Sequence, residues 1–351
     1  MNYMGIDHHK QYSHLTIMDE EGKVLKSGRV LNYRREVEEF IGNTEEEIRA
    51  VIEAGRASYV MVDMLEGRGV EVKLAHSKEI KSIARAKIKT EKRDSKILAD
   101  LLRANLIPEV HKRSVESRRA QRVLRQRVFF VSTMTRVKNR IQALLAQQGE
   151  RIEDELGLRK DLFTRGGIKR LKTLNLAAED KKLLEGLLEL YEGLEALIKN
   201  SEKLVNDLYK RMKEAQLIST VPGFGGFFSV LVATEIDDIN RFDSAEKLHS
   251  YAGVIPSTHS SGERLYHGKI VKEGNRWLRW AAVEAVWPAI RSDFDLRVFF
   301  QRHSKRKNVN VAKVITARRL LTIIYKILKE GRCYVPYPRN KIILRLPSGS
   351  I

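Results

Sequence analysis

At 351 residues the chain is longer than one hydrophobic core usually organises, and its 42% hydrophobic content is enough to fill two or three. A formal charge of +20, from 65 Lys and Arg against 45 Asp and Glu, points to a polyanionic partner, with nucleic acid first. The single cysteine, Cys333, excludes an intrachain disulfide and a multi-cysteine zinc site. No apolar run reaches the ~18 to 20 residues of a membrane span, and the opening MNYMGIDHHKQ has neither the basic nor the apolar region of a signal peptide. The expectation is a cytoplasmic, nucleoid-associated protein without a membrane partner.

Tyr3–Asp7 reads as a short apolar strand ending in an acid, and Tyr12–Met18 leads through DEEG into Lys23–Leu31 as a hairpin turning at Gly22. Arg34–Ile41 has helical spacing, Ile48–Ile52 is a partly β-branched run ending at Glu53, and Val70–Leu74 alternates as a further strand. This order predicts a mixed α/β layer in which Asp7 and Glu53 end neighbouring strands. KTEKRDSKILA, Lys89–Ala99, then places Glu91 and Asp94 three residues apart on one face at a helix start. Taken alone, such a pair is also an ordinary solvated helix end.

From Ser77 to Arg140 the chain turns basic. Between Lys112 and Arg140 there are about ten Lys or Arg, among them Arg118, Arg122 and Arg125, beside an apolar stripe of helical period. Lys181–Met212 reads as a long helix with a near-heptad, Leu187, Leu194, Ser201 and Leu208 at one position and Leu190, Leu197 and Leu204 at another. It predicts an antiparallel coiled-coil arm, or pairing between subunits. Farther on, Gly223 and Gly225 sit between two apolar helical patterns, like the turn of a helix-hairpin-helix unit that brings backbone amides to a DNA phosphate.

Pro256 to Arg264 is a polar, hydroxyl-dense loop. Lys269, Lys272 and Arg276 follow it closely, and a helix is predicted over Val311–Lys329. The parts expected are 1–112, an acid-bearing α/β domain; 113–213, the basic helix and arm; 214–335, a mainly helical domain with the serine loop; and 336–351, a tail. Asp7, Glu53, Glu91 and Asp94 together could frame two Mg²⁺ about 3.5 to 4 Å apart for an in-line phosphoryl displacement, since carboxylates are the ligands such hard ions prefer.

The motifs GID at Gly5–Asp7, IEAG at Ile52–Gly55, KTEKRD at Lys89–Asp94, PGFG at Pro222–Gly225, and SSGE followed by KEGNRWLRW at Lys272–Trp280 resemble, together and in order, the DEDD-type transposases of bacterial insertion sequences. These are relatives of the Piv-type DNA invertases, some guided by a bridge RNA. The resemblance runs from about Tyr3 to about Cys333. It implies a RuvC-like (ribonuclease-H-like) N-terminal domain, a coiled-coil arm and a C-terminal transposase domain carrying a nucleophilic serine. By position the metal acids would be Asp7, Glu53, Glu91 and Asp94, with Mg²⁺ or Mn²⁺. The nucleophile would be Ser261, with Ser260 the adjacent alternative. The implied reaction is strand cleavage and exchange between donor and target double-stranded DNA through a covalent phosphoserine intermediate. It would be carried out by a homo-oligomer, a dimer or a synaptic tetramer, in which one subunit's acids and another's serine complete a site, with a structured guide RNA as further partner. The alternative is a RuvC-like junction nuclease or an invertase without an RNA guide. One residue departs from the family pattern: Glu91 stands where aspartate is expected, and its extra methylene bears on the near-ideal octahedral geometry that Mg²⁺ demands.

Overall fold

Alternation along the first strand sends Met4 and Ile6 to one side and Tyr3, Gly5 and Asp7 to the other, and each side becomes the floor of a separate core. The structure, a computed structural model, describes residues 1–42, 46–55, 57–83, 91–148, 162–261, 264–270 and 274–336. They form two compact units, Met1–Arg113 and Ser114–Ile351. The stretches 113–213 and 214–335, expected as separate parts, both lie almost wholly in the second.

In the first unit β1 (Asn2–His8) is central to a five-stranded sheet ordered β3-β2-β1-β4-β5, with β2 (Tyr12–Met18), β3 (Val24–Leu31), β4 (Ile48–Glu53) and β5 (Glu71–Ala75). β1 is antiparallel to β2, and β2 to β3, as tight connections allow. β1 is parallel to β4, and β4 to β5, so both joins need crossovers. α1 (Arg34–Ile41) and α2 (Ser58–Glu66) supply the helices of those crossovers. They bury Val37, Ile41, Met61, Val62 and Leu65 against Met4, Ile6 and Ile52. On the opposite face α3 (Ser77–Ile83) and α4 (Glu91–Arg103) set Ile80, Leu98 and Leu102 against Val51 and Ala75.

α4 lies directly on β1. A Cβ at Gly5 would run into the carbonyl oxygen of Ser95 and the amide nitrogen of Ala99, so glycine here serves close approach of two backbones rather than a turn.

The second unit opens with α5 (Val115–Ala146), whose N-cap Ser114 accepts a hydrogen bond from the Ser117 amide. α6 (Arg165–Thr173) and α7 (Ala178–Arg211) follow. α5 and α7 run antiparallel, since Arg127 bonds Glu202 near one end of the pair and Gln148 bonds Asp180 near the other. Val137, Ile141 and Leu144 pack with Leu184, Leu188 and Leu194 between them. The leucines expected as one seam are divided. Leu194 and Ser201 are buried, while Leu190, Leu197 and Leu204 are exposed.

The remainder is α8 (Lys213–Ser219), α9 (Gly226–Ile236), a short 3-10 turn at Ile239–Arg241, α10 (Ala245–Ala252), an antiparallel hairpin of β6 (Pro256–Ser261) and β7 (Arg264–Ile270), and α11 (Arg276–Glu284), α12 (Val286–Ser292), α13 (Phe294–Ser304) and α14 (Val309–Glu330). Their shared core includes Ile218, Phe224, Leu231, Leu278, Leu320 and Ile324. Among the described residues no helix is long and apolar enough to cross a membrane.

Candidate active site

Three elements bring the acids to one face of the sheet. Ile6 pairs with Ile52 across the parallel β1/β4 ladder, so Asp7 and Glu53 follow at the same level at the ends of adjacent strands. Both point away from the core that holds the two isoleucines and toward the α4 side. Across them, α4 as described from Glu91 presents Glu91 and Asp94 in its first turn. The charges of Asp94 and Glu91 reach Asp7. Burial first, then these two carboxylates, push the Asp7 carboxyl above its ordinary range, and the neighbouring His9 opposes them.

The groups that hold this cluster went unread in the sequence. His9 Nε2 lies 3.3 Å from Asp7 Oδ2 and 3.6 Å from Glu91 Oε1, bridging the strand acid and the helix acid. The Tyr12 hydroxyl donates to Glu91 Oε1 at 2.6 Å, which raises the phenol's pKa and anchors the longer side chain that replaces the expected aspartate. Tyr12 also carries the Arg29 guanidinium 3.5 Å over its ring. One step along β2, His14 Nδ1 meets Ser95 Oγ at 2.9 Å, and Thr16 Oγ1 meets the same oxygen at 2.7 Å. The signal available was period two: Tyr12, His14 and Thr16 share the α4 side, while Leu15 and Ile17 enter the opposite core.

The turn between β1 and β2 is fixed as well. Ser13 Oγ joins His8 Nδ1 at 2.8 Å and donates to Asn32 Oδ1 at 2.7 Å, and Asn32 Nδ2 donates to the His9 carbonyl at 2.7 Å. Burial lowers the pKa values of His8 and His14, so both imidazoles favour the neutral form. Oxygen donors of this kind suit a hard divalent cation, and the mutual repulsion recorded at Asp7 is what such a cation would relieve. As the side chains stand, no three His, Cys, Asp or Glu among the described residues converge tightly enough to hold an ion.

The serines fall elsewhere in the chain. Ser260 pairs with Leu265 and Ser261 with Arg264, so the stretch expected as a loop is strand over Pro256–Ser261 and again from Arg264. Its polar residues carry no apolar alternation to announce a strand. Lys269 lies in β7, and Lys272 lies outside the described residues. The feet of this hairpin are clamped: the Asn275 amide donates to the Tyr251 carbonyl at 2.6 Å, and the Asn275 side chain caps α11. Asn275 Nδ2 also donates at 2.7 Å to Oε2 of the buried Glu235, whose Oε1 pairs with Arg125.

Arg125, expected on a DNA-facing surface, is therefore committed inward, with its guanidinium 3.7 Å over the Trp277 ring. Arg118 is half-buried, and Arg122 and Arg276 are exposed. Gly223 has φ +94°, and a Cβ there would strike the Ala285 carbonyl, so its first duty is packing. Gly225 is exposed at the start of α9, with open space over it.

Two family models match successive parts of the chain. One, described as a transposase, of the DEDD type and named for IS110, covers residues 4–149; the other, described as the transposase IS116/IS110/IS902 family, covers residues 215–301. The transposase for insertion sequence element IS1111A of Coxiella burnetii (strain RSA 493 / Nine Mile phase I) is 23% identical over 342 residues, spanning 94% of this chain and 90% of its own. The 44.8 kDa protein of insertion element IS116 of Streptomyces clavuligerus is 22% identical over 385 residues and 96% of each chain. The pilin gene-inverting protein of Moraxella bovis is 32% identical over 136 residues, 37% of this chain and 41% of its own. With a strand-and-helix acid face inside the first matched region and the clamped serine hairpin inside the second, the chain belongs to the IS116/IS110/IS902 family of insertion-sequence transposases.

Proposed function

We propose that the chain cleaves and exchanges DNA strands, with Asp7, Glu53, Glu91 and Asp94 holding Mg²⁺ or Mn²⁺ on a ribonuclease-H-like first unit, and with Ser261 as nucleophile, Ser260 being its neighbouring alternative. One observation carries the reading: carboxylates from two parallel strand ends and one helix turn lie toward a single sheet face, with the charges of Asp94 and Glu91 acting on Asp7. The strand order β3-β2-β1-β4-β5, with only β2 antiparallel to its neighbours, supports the fold part of it. A divalent ion bound there would polarise the phosphodiester and stabilise the departing sugar oxygen.

The chain's own groups do the rest. His9 and Tyr12 hold the Asp7 and Glu91 carboxylates in place, and the Gly5 contact fixes the separation of strand and helix. The serine hydroxyl forms the new phosphorus–oxygen bond as the bond to the sugar oxygen breaks, giving a phosphoserine-linked strand and a free sugar hydroxyl. Arg122, Arg276, Lys269 and Lys272, with Arg118 and the exposed turn at Gly225, supply contacts to the phosphate backbone, which positions DNA without reading its sequence.

Ser261→Ala and Asp7→Ala are each expected to abolish strand exchange while DNA binding survives. Full recombination by either variant overturns the assignment. Cleavage by Ser261→Ala with no covalent protein–DNA species would favour a metal-dependent junction nuclease instead. We also propose that target choice comes from a structured guide RNA, since no base-reading module such as a zinc finger is written into the sequence. Sequencing the RNA that co-purifies with the protein from its host tests this, and the absence of any discrete RNA species would refute it.

A further inference from the structure

The bend between α13 and α14 gathers positive charge around a hollow. Arg302, His303, Arg306, Lys307, Ile315 and Arg318 line a cavity of about 330 Å³, at the lower end of the range usual for small-ligand pockets. The Arg306 and Lys307 amides both donate to the His303 carbonyl, at 3.2 and 3.0 Å, which curls the chain tightly after α13. Ile315 and Arg318, three residues apart on one face of α14, supply the other wall. His303 is held against its own helix: its Nδ1 donates to the Phe299 carbonyl at 2.8 Å, and the two rings lie 4.4 Å apart. Cations are common at a helix C-terminus, where they complement the dipole, and Arg302 and His303 alone would be explained so. Arg318 would not, since it comes from within α14. Among the described residues no carboxylate lines the cavity or pairs with Arg302, Arg306, Lys307 or Arg318. The charge of Arg318 is felt next door: burial first and then Arg318, against Glu246, hold His249 on α10 below its ordinary pKa range. Four like charges around one hollow repel each other, a cost that an anion held between them removes.

We infer that this cavity binds a terminal polyphosphate, the chemistry shared by the 5′-triphosphate end of an RNA strand and a free nucleoside triphosphate. An internal phosphodiester carries one charge, and its neighbours stretch away along the strand, which suits a linear track of cations. A terminal phosphate carries about −1.5 to −2 at pH 7, and a triphosphate more, so it matches several cations converging on one hollow. Arg302, Arg306 and Arg318 offer planar forks that pair phosphate oxygens two at a time, and Lys307 adds a point charge. Ile315 gives the cavity an apolar side on which a sugar or a base edge can rest. The site lies beyond residue 301, outside the regions that either family model matches. It shares no residue with the acid face or the serine hairpin, so it does not rest on the strand-exchange reading.

The test uses the full-length protein freed of nucleic acid, in EDTA so that no metal joins protein to phosphate, and at about 0.15 M salt. Fluorescence anisotropy compares a short single-stranded RNA carrying a 5′-triphosphate with the same RNA ending in a 5′-hydroxyl, each labelled at its 3′ end. The triphosphate strand is expected to bind at least about 10-fold tighter, as one or two extra charge-assisted hydrogen bonds imply. Arg306→Gln with Lys307→Gln should erase that preference while the melting temperature is kept. Lys181→Gln with Lys182→Gln, an equal loss of exposed charge on α7, should leave the preference intact. Equal binding of the two strands by the wild type overturns the proposal. So does a preference that survives Arg306→Gln with Lys307→Gln, or a loss of the same factor from both strands in that variant, which would make the cavity a backbone contact. Inorganic tripolyphosphate and ATP, added as competitors, identify the source. Displacement of the triphosphate strand by either at a concentration near that strand's own Kd supports a free polyphosphate as ligand. Displacement only at about 100-fold higher concentration supports the strand end, whose remaining contacts add to its affinity. No displacement by tripolyphosphate at any concentration overturns the proposal.

Discussion

Asp7 and Glu235 are both acids drawn out of water, and they are held in opposite ways. Glu235 is buried to 1% exposure, and both its carboxylate oxygens are bonded, one by Arg125 and one by Asn275, so its charge is compensated inside the fold. Asp7 has the His9 imidazole beside it, and burial first, then the charges of Asp94 and Glu91, push its carboxyl up. A compensated buried acid is a structural joint, and here it ties α5, α9 and the foot of the serine hairpin. An acid whose neighbours repel it is stable only because the scaffold forces it to stay, which is the signature of a site waiting for a counter-charge.

The comparison breaks most sharply in the variant pair Glu53→Ala and Asp94→Ala. Each is expected to abolish metal-dependent cleavage while leaving the melting free energy within about 0.5 kcal/mol of wild type, because neither removes a paired buried charge. Retained cleavage in single-turnover assays would remove that residue from the site. Glu235→Ala should do the reverse. It strands the Arg125 charge against the core and costs about 3–5 kcal/mol in denaturant unfolding, with no change in metal dependence of the folded fraction. A loss below about 1 kcal/mol would show that the joint carries no load.

Gly5→Ala lies between the two. The added methyl has to displace α4 from β1, costing about 1–3 kcal/mol, and a shift of about 1 Å in Glu91 and Asp94 should lower cleavage about 100-fold. Unchanged cleavage would show that helix and strand acids do not act together.

The smallest effect is one of pH. Since the folded Asp7 carboxyl titrates above its unfolded value, the native state binds the extra proton in that window, and stability falls as pH rises through it. Asp7→Asn should flatten this fall and raise the melting temperature without metal, and Mg²⁺ or Mn²⁺ should oppose the fall only in wild type. Equal pH profiles for the two proteins would refute the raised titration of Asp7. In the same series Glu91→Asp should keep or raise Mg²⁺-dependent activity, whereas full activity in Glu91→Ala would show that this residue is no ligand.

The sheet was legible because its strands alternate cleanly. The expected runs Tyr12–Met18 and Arg34–Ile41 match β2 and α1 residue for residue, and Asp7 and Glu53 were read at strand ends from the acid that follows each apolar run. The partners of the acids were not legible. His9, Tyr12 and Ser95 are ordinary residues until β2 folds back on β1 and α4 descends on both, contacts separated by about eighty positions that local patterning does not encode. β6 was missed because a strand of serines and threonines has no apolar face to betray it. The inward pairing of Arg125 was not legible for a related reason. Charge on a basic helix says nothing of which arginine turns inward, and the buried Glu235 that selects it sits more than a hundred residues away.

Gly5 sets a dimension as well as a contact. Where two main chains touch without a side chain between them, their separation is set by van der Waals contact of backbone atoms and does not depend on a rotamer at that point. Asp7 on the strand and Glu91 and Asp94 on the helix are thus mounted on two elements in direct backbone contact. If the acids hold a divalent ion as proposed, the choice among ions of different radius would rest with side-chain length, the quantity that Glu91 changes.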